Sequence, residues 1–233
     1  MISCIYKVYS EEITKIIENP NTSAVFLVGS SKDLDFTLHD VEINDIDVFV
    51  FVKKGEKQER VLFEKKGIEF DINYFSKGGV KKLLSDREYF FIKEMKDAKV
   101  LFDEENISKT IKDISRDIYL KGPNKMSPEE KSFLKQDIGG KISNLKNKER
   151  FNVFEYHFLT NLYLKDIIIG YFNINDNWVP KDKKLLKVLK EENNELFELV
   201  SMVSENYDYQ KLLDVYNYIF KEIETKEIIK LIF

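Results

Sequence analysis

The stretch "NDIDVFVFV", residues 44–52, sets two acidic side chains at the mouth of an otherwise apolar strand. A strand places residues i and i+2 on one face, so Asp45 and Asp47 point the same way, side by side. Two like charges that close repel each other and raise at least one carboxyl pKa unless something positive stands between them. A divalent metal ion is the simplest candidate.

Reading outward, "SAVFLVGSS" (23–31) has the pattern of a buried strand that ends in a Gly-Ser turn. Such a turn lets backbone N–H groups approach phosphate oxygens closely, and the hydroxyl adds another donor. Downstream, "RVLFE" (60–64) and "IEFDINYF" (68–75) read as two strands joined through Lys65-Lys66-Gly67, a short turn that predicts a hairpin. Asp71 interrupts the second of these where a clean buried strand would otherwise run. Three carboxylates on adjacent strands, Asp45, Asp47 and Asp71, can hold two Mg²⁺ ions about 3.5–4 Å apart, the arrangement for in-line phosphoryl or nucleotidyl transfer.

The rest of the first half alternates helix and strand. Ser10 is placed to cap a helix over Glu11 to Asn19, with Pro20 just beyond its end. Residues 77–95 carry helical spacing, and "AKVLFD" (98–103) reads as one more strand. From about residue 105 the apolar residues recur every three or four positions and strand-like alternation stops. Ser127-Pro128-Glu129-Glu130 has the form of a capping box with proline at the first helical position. The segment from Phe151 to about Tyr171 is apolar nearly all the way round (Phe154, Phe158, Leu162 and Ile167 among others), which predicts the buried centre of a bundle. The expected architecture is therefore α+β: a mixed sheet with flanking helices over residues 1–104, then a helical bundle over 105–233.

The combination "VFLVGSS…NDIDVFVFV…IEFDINYF" resembles the nucleotidyltransferase superfamily typified by DNA polymerase β, over roughly residues 24 to 103. The helical second half is similar in layout to the C-terminal bundles of small bacterial members such as aminoglycoside nucleotidyltransferases. The resemblance implies a metal-dependent enzyme that moves a nucleoside monophosphate, AMP from ATP, to a hydroxyl of a small molecule lying between the two domains. It implies that Gly29 and Ser30, with Ser31 and Lys32 beside them, meet the triphosphate. It further implies that Asp45 and Asp47 bind two Mg²⁺ ions, and that Asp71 completes one metal site and helps activate the attacking hydroxyl. The chain departs from the pattern in a long spacer, Ser31 to Asn44, which holds His39, and in lacking the Arg-Gly that often follows Gly-Ser in small members: Ser31-Lys32-Asp33 stands there, with Lys32 as the candidate replacement for the arginine.

The resemblance also directs attention to Glu155, one of few charged groups on a helix that otherwise reads as buried and the best candidate for the helical-domain glutamate that serves as general base in aminoglycoside-type members, and to Lys183 in "WVPKDKKLLKVL", which can reach phosphates. Arg150 and His157 offer a loose match to the Arg-x(4–6)-His helix of HEPN ribonucleases. A second reading is an antitoxin-like nucleotidyltransferase that modifies or binds a partner protein; the attached bundle argues against it, because such antitoxins are usually the N-terminal domain alone.

Composition narrows the classes further. Hydrophobic residues make up 43% and charged residues 33% of 233, the balance of a folded domain and not of a disordered chain. The net charge of −4, with a sequence pI of about 5.5, lacks the basic footprint of a duplex-binding protein and disfavours nucleic acid as the partner. One cysteine, Cys4, excludes an internal disulfide. The N-terminal residues lack a secretory pattern and no apolar run reaches the ~20 residues of a membrane span, so the expected location is the cytoplasm.

Overall fold

In a computed structural model, residues 4–38, 43, 45–56 and 58–225 are described; His39 and Asn44 lie outside them. The chain divides into two compact units, Met1–Lys121 and Gly122–Phe233.

The first unit is a five-stranded sheet with helices on both faces. Its elements are α1 (Cys4–Glu18), β1 (Thr22–Val28), β2 (Asp45–Val52), β3 (Glu59–Lys65), β4 (Ile68–Ser76), α2 (Lys77–Ser85), α3 (Tyr89–Met95), β5 (Lys99–Asp103) and α4 (Ser108–Lys121). The strand order is β3-β4-β2-β1-β5, with β2 and β4 parallel and every other neighbour antiparallel. All seven residues of β1 are buried, as a central strand covered on both faces requires. Lys66 and Gly67, both at positive φ, form the two-residue turn of the β3–β4 hairpin.

Alternation along the strands sorts side chains between two cores. One face buries Val25, Leu27, Ile46, Val48, Phe70 and Ile72 against Val8, Ile13 and Ile16 of α1. The other buries Phe26, Val28, Phe49, Phe51 and Phe75 against Val80 of α2 and Phe91 and Met95 of α3. Phe49 stacks on Phe91 with ring centres 5.7 Å apart and meets Phe75 edge-on at 5.1 Å. Asp45, Asp47 and Asp71 belong to this second face, at the strand ends beyond the aromatic layer.

Three boundaries differ from the sequence expectation. Ser10 lies inside α1, because Ile5, Val8 and Tyr9 extend the apolar stripe toward the N-terminus and draw the helix back to Cys4. Residues 77–95 form two helices, with Arg87 in the left-handed conformation between them (φ 54). The break between units falls after Lys121. Asp103 at the end of β5 accepts hydrogen bonds from Ile107 N and Ser108 N (3.1 and 2.8 Å), and Lys112 Nζ donates to Ala98 O at 2.5 Å. These contacts fasten α4 to the sheet.

The second unit is a helical bundle of α5 (Pro128–Asn144), α6 (Val153–Ile174), α7 (Asp182–Glu192), α8 (Asn194–Asn206) and α9 (Tyr209–Phe220). The capping box at Ser127 and Glu130 is present in full. Helices approach closely where glycine permits: a Cβ on Gly170 of α6 would stand 2.9 Å from the Phe220 ring of α9. The core gathers Ile138, Tyr156, Leu164, Ile167, Phe172, Leu196, Leu212 and Phe220. In α6 the C-terminal half is buried as expected, but Phe154 and Phe158 are 78% and 59% exposed and Leu162 is exposed too. The first turns carry more apolar surface than the bundle covers, because Tyr156 and Thr160 already face the core there. No helix among the described residues is long and apolar enough to cross a membrane.

Candidate active site

The site begins where β1 ends. Val28 is the register partner of Asp47, and Gly29 follows it with φ 74 and ψ −157, a conformation open essentially to glycine alone. A Cβ on Gly29 would lie 2.0 Å from Asp47 Oδ2, so the backbone and the carboxylate share a space that no other residue leaves free. Gly29 N donates to Glu94 Oε2 of α3 at 3.1 Å. Residues Ser30–Asp33 then turn through a short 3-10 helix. Ser30 is exposed and Lys32 half-buried, while Ser31 is buried and its hydroxyl has no hydrogen-bond partner among the described residues.

Asp45 and Asp47 project from the first and third residues of β2. In the parallel β2–β4 ladder, Asp71 stands directly opposite Asp47, and Glu69 opposite Asp45. Neighbouring strands run about 4.8 Å apart, so four acidic residues occupy one small patch of one sheet face. The sheet topology thus brings together the three aspartates and the Gly-Ser turn singled out in the sequence.

Asp71 has a partner that the sequence reading missed. Arg60 of β3 grips it with two bonds, Nε to Oδ1 at 2.9 Å and Nη2 to Oδ2 at 2.7 Å, and Asn73 Nδ2 adds a third to Oδ1 at 3.1 Å. The Asp71 carboxylate holds the Arg60 guanidinium above its ordinary pKa, and Asp47 and Glu69 add to the effect. Arg60 was legible in principle: the Lys66-Gly67 turn fixes the hairpin register, which pairs Arg60 with Asn73, next on the same face after Asp71. Glu94, far along the chain, had no such signal.

Hard carboxylate oxygens in this number are the donor class that magnesium takes. Asp45 and Asp47 fit that chemistry in identity and strand position. Asp71 fits in position, but both its oxygens are engaged by Arg60. Among the described residues no group of three acidic, histidine or cysteine side chains closes into a metal-holding cluster.

The remaining sequence candidates lie in the second unit. Glu155 is the third residue of α6 and completes a capping box: its Oε2 accepts from Asn152 N at 2.9 Å, and its own N–H donates to Asn152 Oδ1 at 2.9 Å. Lys183 is exposed in the first turn of α7. His157 stacks on Tyr207 with ring centres 3.7 Å apart. Arg150 belongs to a 3-10 turn that precedes the Asn152 cap, so it and His157 do not share one helix as expected.

No family model matches the chain, and no curated protein matches it in sequence. Among solved structures, it is similar to a nucleotidyltransferase-like protein from Exiguobacterium sibiricum 255-15, with a TM-score of 0.52 and 9% identity over 93% of this chain and 73% of that one. At that identity the likeness shows the fold: a nucleotidyltransferase-like α+β architecture followed by helices.

Proposed function

We propose that the chain is a nucleotidyltransferase that moves a nucleoside monophosphate, AMP from ATP, to a hydroxyl of a small acceptor such as an aminoglycoside-like antibiotic. The observation that carries this reading is the placement of Asp45, Asp47 and Asp71 on one sheet face beside the Gly29 turn. Asp45 and Asp47 would hold magnesium, which when bound neutralises charge on the phosphates and lowers the acceptor pKa. Ser30 and Ser31 hydroxyls donate to phosphate oxygens, and Lys32 supplies a positive charge beside them. The acceptor oxygen bonds to the α-phosphorus, the bond to pyrophosphate breaks, and the acceptor proton passes to a carboxylate of this face. Asp71 can take that role once its carboxylate is released by Arg60, and the Glu155 carboxylate serves as a helix cap. Lys183 is a secondary candidate for phosphate contact.

The test is incubation of purified protein with Mg²⁺, labelled nucleotides and a panel of aminoglycosides, lincosamides and protein substrates, reading pyrophosphate release. Label on a small hydroxyl compound supports the reading, and label on a protein instead favours the antitoxin-like alternative. Asp45→Asn and Asp47→Asn should each cut transfer about a hundredfold or more while melting like the wild type. Full activity in both variants would overturn the assignment.

A further inference from the structure

We propose that Arg60 is a positioning residue that holds Asp71 in place as a built-in cation and must yield that carboxylate when a metal–nucleotide complex binds. The inference rests on the functional reading above and deepens it at one side chain. Its ground is geometric. The guanidinium fork meets both oxygens of Asp71 at 2.9 and 2.7 Å, the bidentate arrangement that satisfies a carboxylate most completely. Asn73 takes a further lone pair of Oδ1. So held, Asp71 has little left to offer a second positive ion, although the ladder sets it opposite Asp47.

The two partners differ in freedom. The Asp71 side chain is 17% exposed on an inner strand, whereas Arg60 is 57% exposed on the edge strand. A carboxylate fixed by its strand and a long side chain largely in water form a pair in which the arginine leaves and the aspartate stays. An ion pair this exposed contributes little to folding. Its weight falls instead on local charge: Arg60 offsets part of the repulsion among Asp45, Asp47, Glu69 and Asp71. A divalent ion arriving with a triphosphate can take over that task, and the released guanidinium then has phosphate oxygens as new bidentate partners.

The experiment is Mn²⁺ titration of the full chain, followed by electron paramagnetic resonance of free Mn²⁺, with and without a non-hydrolysable nucleotide. Wild type is compared with Arg60→Gln, Arg60→Lys, Asp71→Asn and the double variant, all checked for unchanged melting. Arg60→Gln should bind Mn²⁺ about two- to fivefold more tightly, the scale of one exposed ion pair. Arg60→Lys, a point charge without the fork, should fall between. The gain should vanish in the Asp71→Asn background. An Arg60→Gln variant that binds Mn²⁺ no better than wild type, while Asp45→Asn and Asp47→Asn lose it, overturns the role of Arg60 and leaves the transferase reading intact. Failure of every form to bind Mn²⁺, nucleotide included, overturns both.

Discussion

Gly29 and Asp47 are fitted to each other: the carboxylate oxygen of one occupies the space where any side chain on the other would begin. The contact follows from register, since the β1–β2 ladder ends on the pair Val28 and Asp47 and the next residue must turn away. One glycine thus serves two ends, a backbone angle and a vacancy for a carboxylate.

Gly29→Ala tests this. The backbone conformation alone costs about 1–3 kcal/mol for a residue with a Cβ, and the overlap with Asp47 adds to it. Urea unfolding should show at least that loss. Nucleotide-dependent Mn²⁺ binding should fall as well, because Asp47 is pushed aside. A variant as stable as wild type would mean that the turn relaxes freely.

Ser31 gives an opposite sign in its two readouts. Its buried hydroxyl lacks a partner among the described residues, a condition that costs about 1–3 kcal/mol. Ser31→Ala should therefore leave stability unchanged or raise it. If the hydroxyl serves a phosphate, the same variant should raise KM for the nucleotide. A variant that is destabilised and unchanged in KM would contradict both halves.

The capping box at the start of α5 predicts a pH effect. Glu130 sits below its ordinary pKa of 4.5 because the backbone N–H of Ser127 donates to it, with the Ser127 hydroxyl as a second contributor. A folded-state pKa below the unfolded value gives stabilisation that is complete above about 4.5 and fades as pH falls through the lower folded value. Glu130→Gln should be less stable than wild type at pH 7, and the gap should close on acidification below pH 4.5. Ser127→Ala should cost about 1 kcal/mol at neutral pH.

Helix α6 supplies a contrast along one element. Ile167 is fully buried, and its truncation to Ala should cost about 2–5 kcal/mol. Phe158→Ser, on the exposed first half, should change stability by no more than about 0.5 kcal/mol. Chemical denaturation of the two variants checks the division, and equal losses would contradict it.

Much of the first unit was legible from local signals. Alternating apolar residues marked the strands, Lys66-Gly67 marked the hairpin, and the Asp-x-Asp pair announced its shared face. Less visible features depended on surroundings. The helix break at Arg87 has no glycine or proline to mark it, only the turn-forming pair Ser85-Asp86 just before it. The apolar first turns of α6 looked like core because periodicity reports which residues are greasy and not how much surface neighbouring helices cover. Glu155 looked like an isolated charge on a buried helix, yet its spacing from Asn152 already matched a cap. The contact of Glu94 with Gly29 joins α3 to the turn after β1, which only the folded sheet brings together.

The hairpin at the sheet margin has a kinetic corollary. Asp71 and Arg60 ride on β4 and β3, which are joined by two residues, while Asp45 and Asp47 sit on β2 and Gly29 follows β1, further inside. Opening the single ladder between β2 and β4 would carry the former pair off together and leave the latter three where they are. Hydrogen exchange should then find β2 amides facing that seam released in step with the β4 amides, ahead of those that bond β1 to β2. The acidic cluster would come apart, in that event, by the departure of one ribbon from an otherwise standing sheet.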